Sequence, residues 1–150
     1  MFGKKIKLDN QKEISIFFWD LFHQYRYESL NKIFFKGADG FMLTYDMTQR
    51  KTYDKMKELL NTIRDYIGED IPIALVSCKI DLFNEEIRRE EAENFARQNS
   101  LIFYETSAKE NIVDFCFNDF ISRIIPKIEN NNNNKINIQK ERPAKKGCLK

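Results

Sequence analysis

Three short apolar runs constrain this chain more than anything else in it. Phe41-Met42-Leu43-Thr44-Tyr45, Ile71-Pro72-Ile73-Ala74-Leu75-Val76 and Leu101-Ile102-Phe103-Tyr104 are too uniformly apolar for strands with one wet face. They suit strands covered on both sides, as in a parallel sheet. Segments with helical spacing separate them. Tyr53, Met56, Leu60, Ile63 and Ile67 recur at three- and four-residue intervals, while Asp54, Lys55, Lys57 and Glu58 fill the opposite face. Thr48 stands where an N-cap would open that helix. The charged, helix-prone stretch from Glu85 to Gln98 carries Ala92, Phe95 and Ala96 as its buried stripe. Val113, Phe117, Phe120, Ile124 and Ile128 define a last helix, which Pro126 should bend or fray near its end.

Ahead of these, Glu13 to Trp19 is β-rich, and Asp9-Asn10-Gln11 offers a turn from the short stretch Lys5 to Leu8, which reads as a hairpin. A hairpin followed by alternating strands and helices means an α/β fold, with a mainly parallel sheet flanked by helices. At 150 residues, with 42% hydrophobic content and 13 phenylalanines, the chain can bury one core. The run Asn130 to Asn134 buries nothing that could offset its ordering entropy, so 130–150 reads as a disordered, Asn-rich and basic tail.

The net charge of +2 hides an asymmetry. Lys135, Lys140, Arg142, Lys145, Lys146 and Lys150 outweigh Glu129 and Glu141, which leaves a mildly acidic body of 19 basic against 21 acidic residues. Cys78, Cys116 and Cys148 are widely spaced, with no CxxC pair, and indicate neither a disulfide framework nor a zinc site. Met1 to Lys12 has no apolar signal-like core, and no run is long enough to span a bilayer. A cytoplasmic protein, soluble or peripherally attached to a membrane, is expected, with no nucleic-acid partner.

Two segments carry specific chemistry. Cys78-Lys79-Ile80-Asp81-Leu82 and Glu105-Thr106-Ser107-Ala108-Lys109 each follow an expected strand, at the carboxyl ends where open α/β sheets place ligands. Together they resemble the guanine-reading elements NKxD and ETSAK of small GTPases. Trp19-Asp20 followed by Gln24 resembles the Rab segment WDTAGQ. Arg26 to Ala38 is similar to the Rab stretch ending YYRGA, and Leu43-Thr44-Tyr45-Asp46-Met47-Thr48 to LVYDIT. The similarity covers nearly all of residues 6 to 128, and the chain resembles a Rab-type small GTPase of the Ras superfamily.

That resemblance implies GTP or GDP and Mg2+ as ligands, and it distributes roles. Asp81 would accept two hydrogen bonds from the ring N–H and exocyclic amine of guanine, which adenine cannot supply. Ala108 would offer its backbone N–H to the guanine oxygen, Lys79 and Lys109 would lay their stems along base and sugar, and Ser107 would support the loop. Cys78 stands where the family has an asparagine, and a thiol makes only weak hydrogen bonds. Gln24 would orient a water as the catalytic residue, and Asp20 would reach the metal through a water. His23 replaces the glycine that approaches the γ-phosphate closely. Trp19 and Phe34 match two members of the aromatic patch that Rab proteins show to effectors and regulators.

Aligned on the family, residues 1–129 would form an incomplete Ras-like G domain lacking the first strand, the P-loop, the first helix and switch I. No GxxxxGK[ST] occurs within the 150 residues, so the usual phosphate cradle is missing from them. The absent first strand would leave two strand edges unpaired or force them to pair directly. The basic tail ending Gly147-Cys148-Leu149-Lys150 is similar to the tails by which Rab proteins reach the cytosolic face of endomembranes, with Cys148 as the lipidation candidate, although it is not a CaaX box. Three readings stay open. One is a membrane-traffic binding module with weak or absent GTP binding and little or no hydrolysis. The second is an active GTP-binding Rab GTPase whose N-terminal coding segment lies outside this sequence, and the third is a fragment that never accumulates as folded protein.

Overall fold

The structure, a computed structural model, describes residues 2–7, 13–21, 35–68 and 71–126. The chain divides into two compact units, residues 1–36 and 37–150. In the first, β1 (Phe2–Lys7) pairs antiparallel with β2 (Glu13–Phe18), from Phe2 opposite Phe18 to Lys7 opposite Glu13. The expected hairpin therefore forms, with a first strand that starts three residues earlier than the apolar pattern suggested.

The second unit is the α/β body. Its strands β3 (Phe41–Asp46), β4 (Ile73–Cys78) and β5 (Ile102–Thr106) form a parallel sheet in the order β3-β4-β5. Helix α1 (Arg50–Ile67) joins β3 to β4, and α2 (Arg89–Gln98) joins β4 to β5. Residues 114–126 form a further helix, α3. Alternation along the strands sends Ala74, Val76 and Tyr104 to one face, where Cys116 and Phe120 of α3 cover them. Leu43, Tyr45 and Leu75 turn to the other face, where Tyr45 meets Tyr53 of α1 edge-on and Tyr53 meets Phe95 of α2. Both faces of the central strand β4 are thus covered, which is why its sequence is so uniformly apolar, while Thr44 on the edge strand β3 stays exposed.

Local details depart from the sequence expectations for identifiable reasons. Helix α1 is capped at Gln49, not Thr48, and the Gln49 side chain makes no capping bond. Thr48 instead donates its hydroxyl to Asp46 Oδ1 at 2.7 Å, while the Glu86 carboxylate takes the Arg50 N–H at 2.6 Å. That distant carboxylate satisfies a first-turn donor that a local cap would otherwise serve. The stretch from Glu85 is not helical until Arg89, because the N–H groups of Glu86 and Ile87 donate to Met47 O at 2.9 and 3.1 Å. On α3, Cys116 and Ile121 are buried with Phe120, whereas Phe117 and Ile124, and Val113 just before the helix, are only partly so. Pro126 is the last described residue and is still helical, and the proposed tail lies outside the described residues.

Strand β3 is an edge of its sheet among the described residues. The N–H groups of Phe41 and Met47 donate to β4 side carbonyls, so Met42, Thr44 and Asp46 direct their backbone groups outward. The edge is closed at its end by Thr52, whose Oγ1 accepts the Asp46 N–H at 3.0 Å and donates to Gln49 O at 2.8 Å.

Leu75 is fully buried in the central strand, while Phe83 is fully exposed. Replacing Leu75 by alanine should lower unfolding free energy by about 2–5 kcal/mol, and replacing Phe83 by alanine should change it by less than about 0.5 kcal/mol, both read from urea denaturation.

Candidate functional site

The register fixes the geometry of the site. Asp46 is level with Cys78, and Cys78 with Thr106, so all three strands end on one line and their following loops emerge side by side. This is the carboxyl edge of a parallel sheet, the usual ligand side.

Ser107 organises the third loop. Fully buried, it exchanges backbone hydrogen bonds with Ile112 at 3.2 and 2.8 Å, closing the turn between them. Its Oγ accepts the Glu110 N–H at 3.1 Å and donates to Asp81 Oδ1 at 2.6 Å. The other Asp81 oxygen faces Lys109 Nζ at 3.7 Å. Two loops 26 residues apart in sequence are therefore tied through one carboxylate. The Ser107 bond, helped by the Lys109 charge, holds the Asp81 carboxyl below the ordinary carboxylate range. Ala108 is exposed at the head of this turn, and its N–H has no acceptor among the described residues.

Lys79 adopts a left-handed backbone conformation, φ 65°, at the start of the loop. Its carbonyl accepts the Leu82 N–H at 3.0 Å, and Ile80 N–H donates to Thr106 O at 3.3 Å, so the segment turns sharply while staying attached to β5. The Lys79 ammonium is 2.5 Å from Asp46 Oδ2, and that contact raises its pKa. Burial alone would raise the Asp46 carboxyl, but the hydrogen bonds from Lys79 and Thr48 outweigh it and leave the carboxyl below its ordinary range.

Cys78 behaves differently from its neighbours. Its thiol lies 3.7 Å from Thr106 Oγ1 and 3.9 Å from Val76 O, and its side chain packs against the Ala74, Val76 and Cys116 cluster beneath α3. Burial pushes the thiol pKa up. Thr106 itself donates to Ser77 O at 3.1 Å.

The structure thus brings Cys78, Lys79, Asp81, Ser107, Ala108 and Lys109 to one edge, and it adds Asp46, a carboxylate that sequence reading noticed only as part of the Leu43–Thr48 motif. Trp19 and Asp20 follow β2 and are exposed. Gln24, His23, Phe34 and Cys148 lie outside the described residues. This donor set fits a planar base bearing adjacent N–H groups, with Asp81 as the double acceptor and Ala108 N–H as the opposing donor. Among the described residues no group of three His, Cys, Asp or Glu side chains could hold a metal ion. A magnesium ion held by hydroxyls and phosphates would need no such group.

A model of the Ras family matches residues 1–130. The chain is 33% identical over 132 residues to the Ras-related protein Rab-2B of Dictyostelium discoideum, a match covering 87% of this chain and 65% of that protein. It is 36% identical over 125 residues to the Ras-related protein Rab-18-B of Danio rerio, covering 81% of this chain and 60% of that protein. The chain therefore spans less than two thirds of the length of these curated relatives.

Replacing Ser107 by alanine removes the shortest bond to Asp81. The ionised Asp81 of the unaltered chain stabilises the fold above the ordinary carboxylate range, and that contribution is lost as pH falls through its depressed folded value. In Ser107→Ala the Asp81 titration midpoint, followed by carboxyl carbon NMR, should move up toward the ordinary carboxylate range.

Proposed function

The chain belongs to the Ras family and is of the Rab type, and from that premise we propose that it is a guanine-recognising binding module with weak nucleotide affinity and little or no GTP hydrolysis. The observation that carries this reading is the base-pocket frame. Asp81 is held ionised by Ser107 beside Lys109, so the carboxylate is aimed and charged before any ligand arrives. A prealigned acceptor loses less entropy on binding than a free one.

The same frame supports weakness. Members of the family use an asparagine where Cys78 stands, and an amide there ties the base loop to the phosphate loop. The Cys78 side chain packs into the cluster beneath α3, and the thiol offers only weak bonds. His23, in place of the family glycine, adds a side chain where close backbone approach to a phosphate is needed. Ras-family membership brings GTP, GDP and Mg2+ as the ligands to test.

Effector contact through Trp19 and Phe34, and attachment of the basic tail and Cys148 to the cytosolic face of an endomembrane, complete the proposal. Trp19 is half exposed beyond the end of β2. No described helix is long and apolar enough to cross a membrane.

A second reading is an active Rab GTPase with further N-terminal sequence. The outward backbone groups of Met42 and Thr44 favour it, because the family's first strand would pair there. Transcript sequence upstream of Met1 with an in-frame GxxxxGK[ST] would decide for this second reading.

Titration calorimetry with GDP, GTP and ADP tests the leading reading. Measurable guanine binding weaker than micromolar, with ADP weaker still, is expected. Micromolar or tighter GTP affinity would refute it. Cys78→Asn should tighten GDP binding by roughly 5-fold or more, corresponding to about 1 kcal/mol from a recovered hydrogen bond. Asp81→Asn should abolish the preference for guanine over adenine.

A further inference from the structure

Asp46 ends β3 level with Cys78, and only 8% of its surface is exposed. A buried carboxylate is costly unless each oxygen is satisfied. Here the two oxygens divide the task. Oδ1 accepts the Thr48 N–H at 2.9 Å and the Thr48 hydroxyl at 2.7 Å, bonds that close the turn leading into α1. Oδ2 accepts from Gln49 Nε2 at 3.2 Å and meets the Lys79 ammonium at 2.5 Å, across the gap between two strand ends. The first set needs only an oxygen. The second is an ion pair and needs the charge.

Lys79 is restrained at both ends. Its backbone is left-handed, a state that a residue with a Cβ adopts only where surroundings impose it, and its carbonyl is fixed by the Leu82 N–H. Its ammonium is fixed by Asp46. The four-carbon stem between them bridges the ends of β4 and β3, two residues before Asp81 in the chain. A free lysine stem would lose rotamer freedom on packing against a ligand, whereas this one has lost most of it beforehand.

We propose that Asp46 is the positioning residue of the base pocket: it holds the Lys79 ammonium so that the lysine stem stays extended as a wall beside Asp81. The role of that wall rests on the base-pocket reading given above. Asp46 touches no ligand and acts through Lys79. The device also links the pocket to the first turn of α1, since one carboxylate serves both.

Competitive acetylation of the full 150-residue chain with acetic anhydride, read at each lysine by peptide mass spectrometry, tests the restraint directly. In the unaltered chain Lys79 should acetylate more slowly than Lys109, whose ion pair is longer at 3.7 Å. Asp46→Asn keeps an oxygen for both Thr48 bonds and removes only the charge. It should speed acetylation of Lys79 by at least about 3-fold relative to the other lysines, as expected when an amine loses the carboxylate that favours its protonated form. Thr48→Val, which removes the hydroxyl bond in the turn and leaves the charge, should leave Lys79 labelling unchanged.

GDP calorimetry supplies the functional half. Asp46→Asn should weaken binding in the unaltered background and have no further effect in a Lys79→Met background. Lys79 that labels as fast as Lys109 in the unaltered chain, or an equal affinity loss in both backgrounds, would overturn the proposal. Should the unaltered chain bind no guanine nucleotide, the base-pocket reading fails on its own account. The labelling result then still upholds or overturns the Asp46–Lys79 restraint.

Discussion

Everything in the α/β body depends on the parallel register that ends β3, β4 and β5 together. Asp46, Cys78 and Thr106 are successive partners across that line. A shift of one residue in any strand would exchange its two faces, moving Tyr45 from α1 to α3 or Val76 from α3 to the opposite layer. The apolar contacts on both faces therefore define the register, and the register in turn delivers three loops to one edge. The candidate site exists because the core is packed, and Cys78 and Ser107 belong to both.

Within that edge, two carboxylates whose side chains are both buried do different work according to what answers them. Asp46 is buried and answered on all sides, so it fixes structure. Asp81 is bridged by a buried serine on one oxygen and by an exposed lysine on the other, so one half of it is rigid while the other can exchange partners. A base presenting two N–H groups would compete with Lys109 far more easily than with Ser107. The exposed ion pairs elsewhere, such as Arg89 with Glu93, are of the kind that contribute at most a few tenths of a kcal/mol. The Arg50 contacts to Glu91 and to the Glu86 carbonyl differ because they accompany a third bond, from the Arg50 N–H to the Glu86 carboxylate, and so fasten α1 to α2 and the segment before it.

Much of this was legible in the sequence, and the gaps have a common physical cause. The three strands could be read because being covered on two faces leaves an unbroken apolar run. The stripe Tyr53, Met56, Leu60 and Ile63 could be read because a long helix against a sheet repeats its contacts. The start of α2 could not, because within the helix-prone stretch Glu85 to Arg88 the N–H groups of Glu86 and Ile87 are taken by Met47, far earlier in the chain. Thr48 looked like a cap for the same reason: local spacing cannot reveal that Asp46 claims its hydroxyl and that Glu86 serves the helix instead. At the site, Asp81 and Ser107 to Lys109 were visible through family likeness. The role of Asp46 was not, since its partner lies on the neighbouring strand's loop.

Cys78 shows how a fold can be kept while a site drifts. At the end of β4 a side chain must do two things at once, fill the face beneath α3 and, in the family pattern, join the base loop to the phosphate loop. A cysteine meets the first demand well, since a thiol is a small apolar group that packs against Val76 and Cys116 at no cost in unsatisfied polarity. It meets the second poorly. The substitution is therefore close to neutral for stability and costly for connectivity between loops. The sheet, the Ser107 turn and the Asp46 anchor all persist beside it, and on the proposed reading a chain altered in this way would lose nucleotide affinity before it lost its structure.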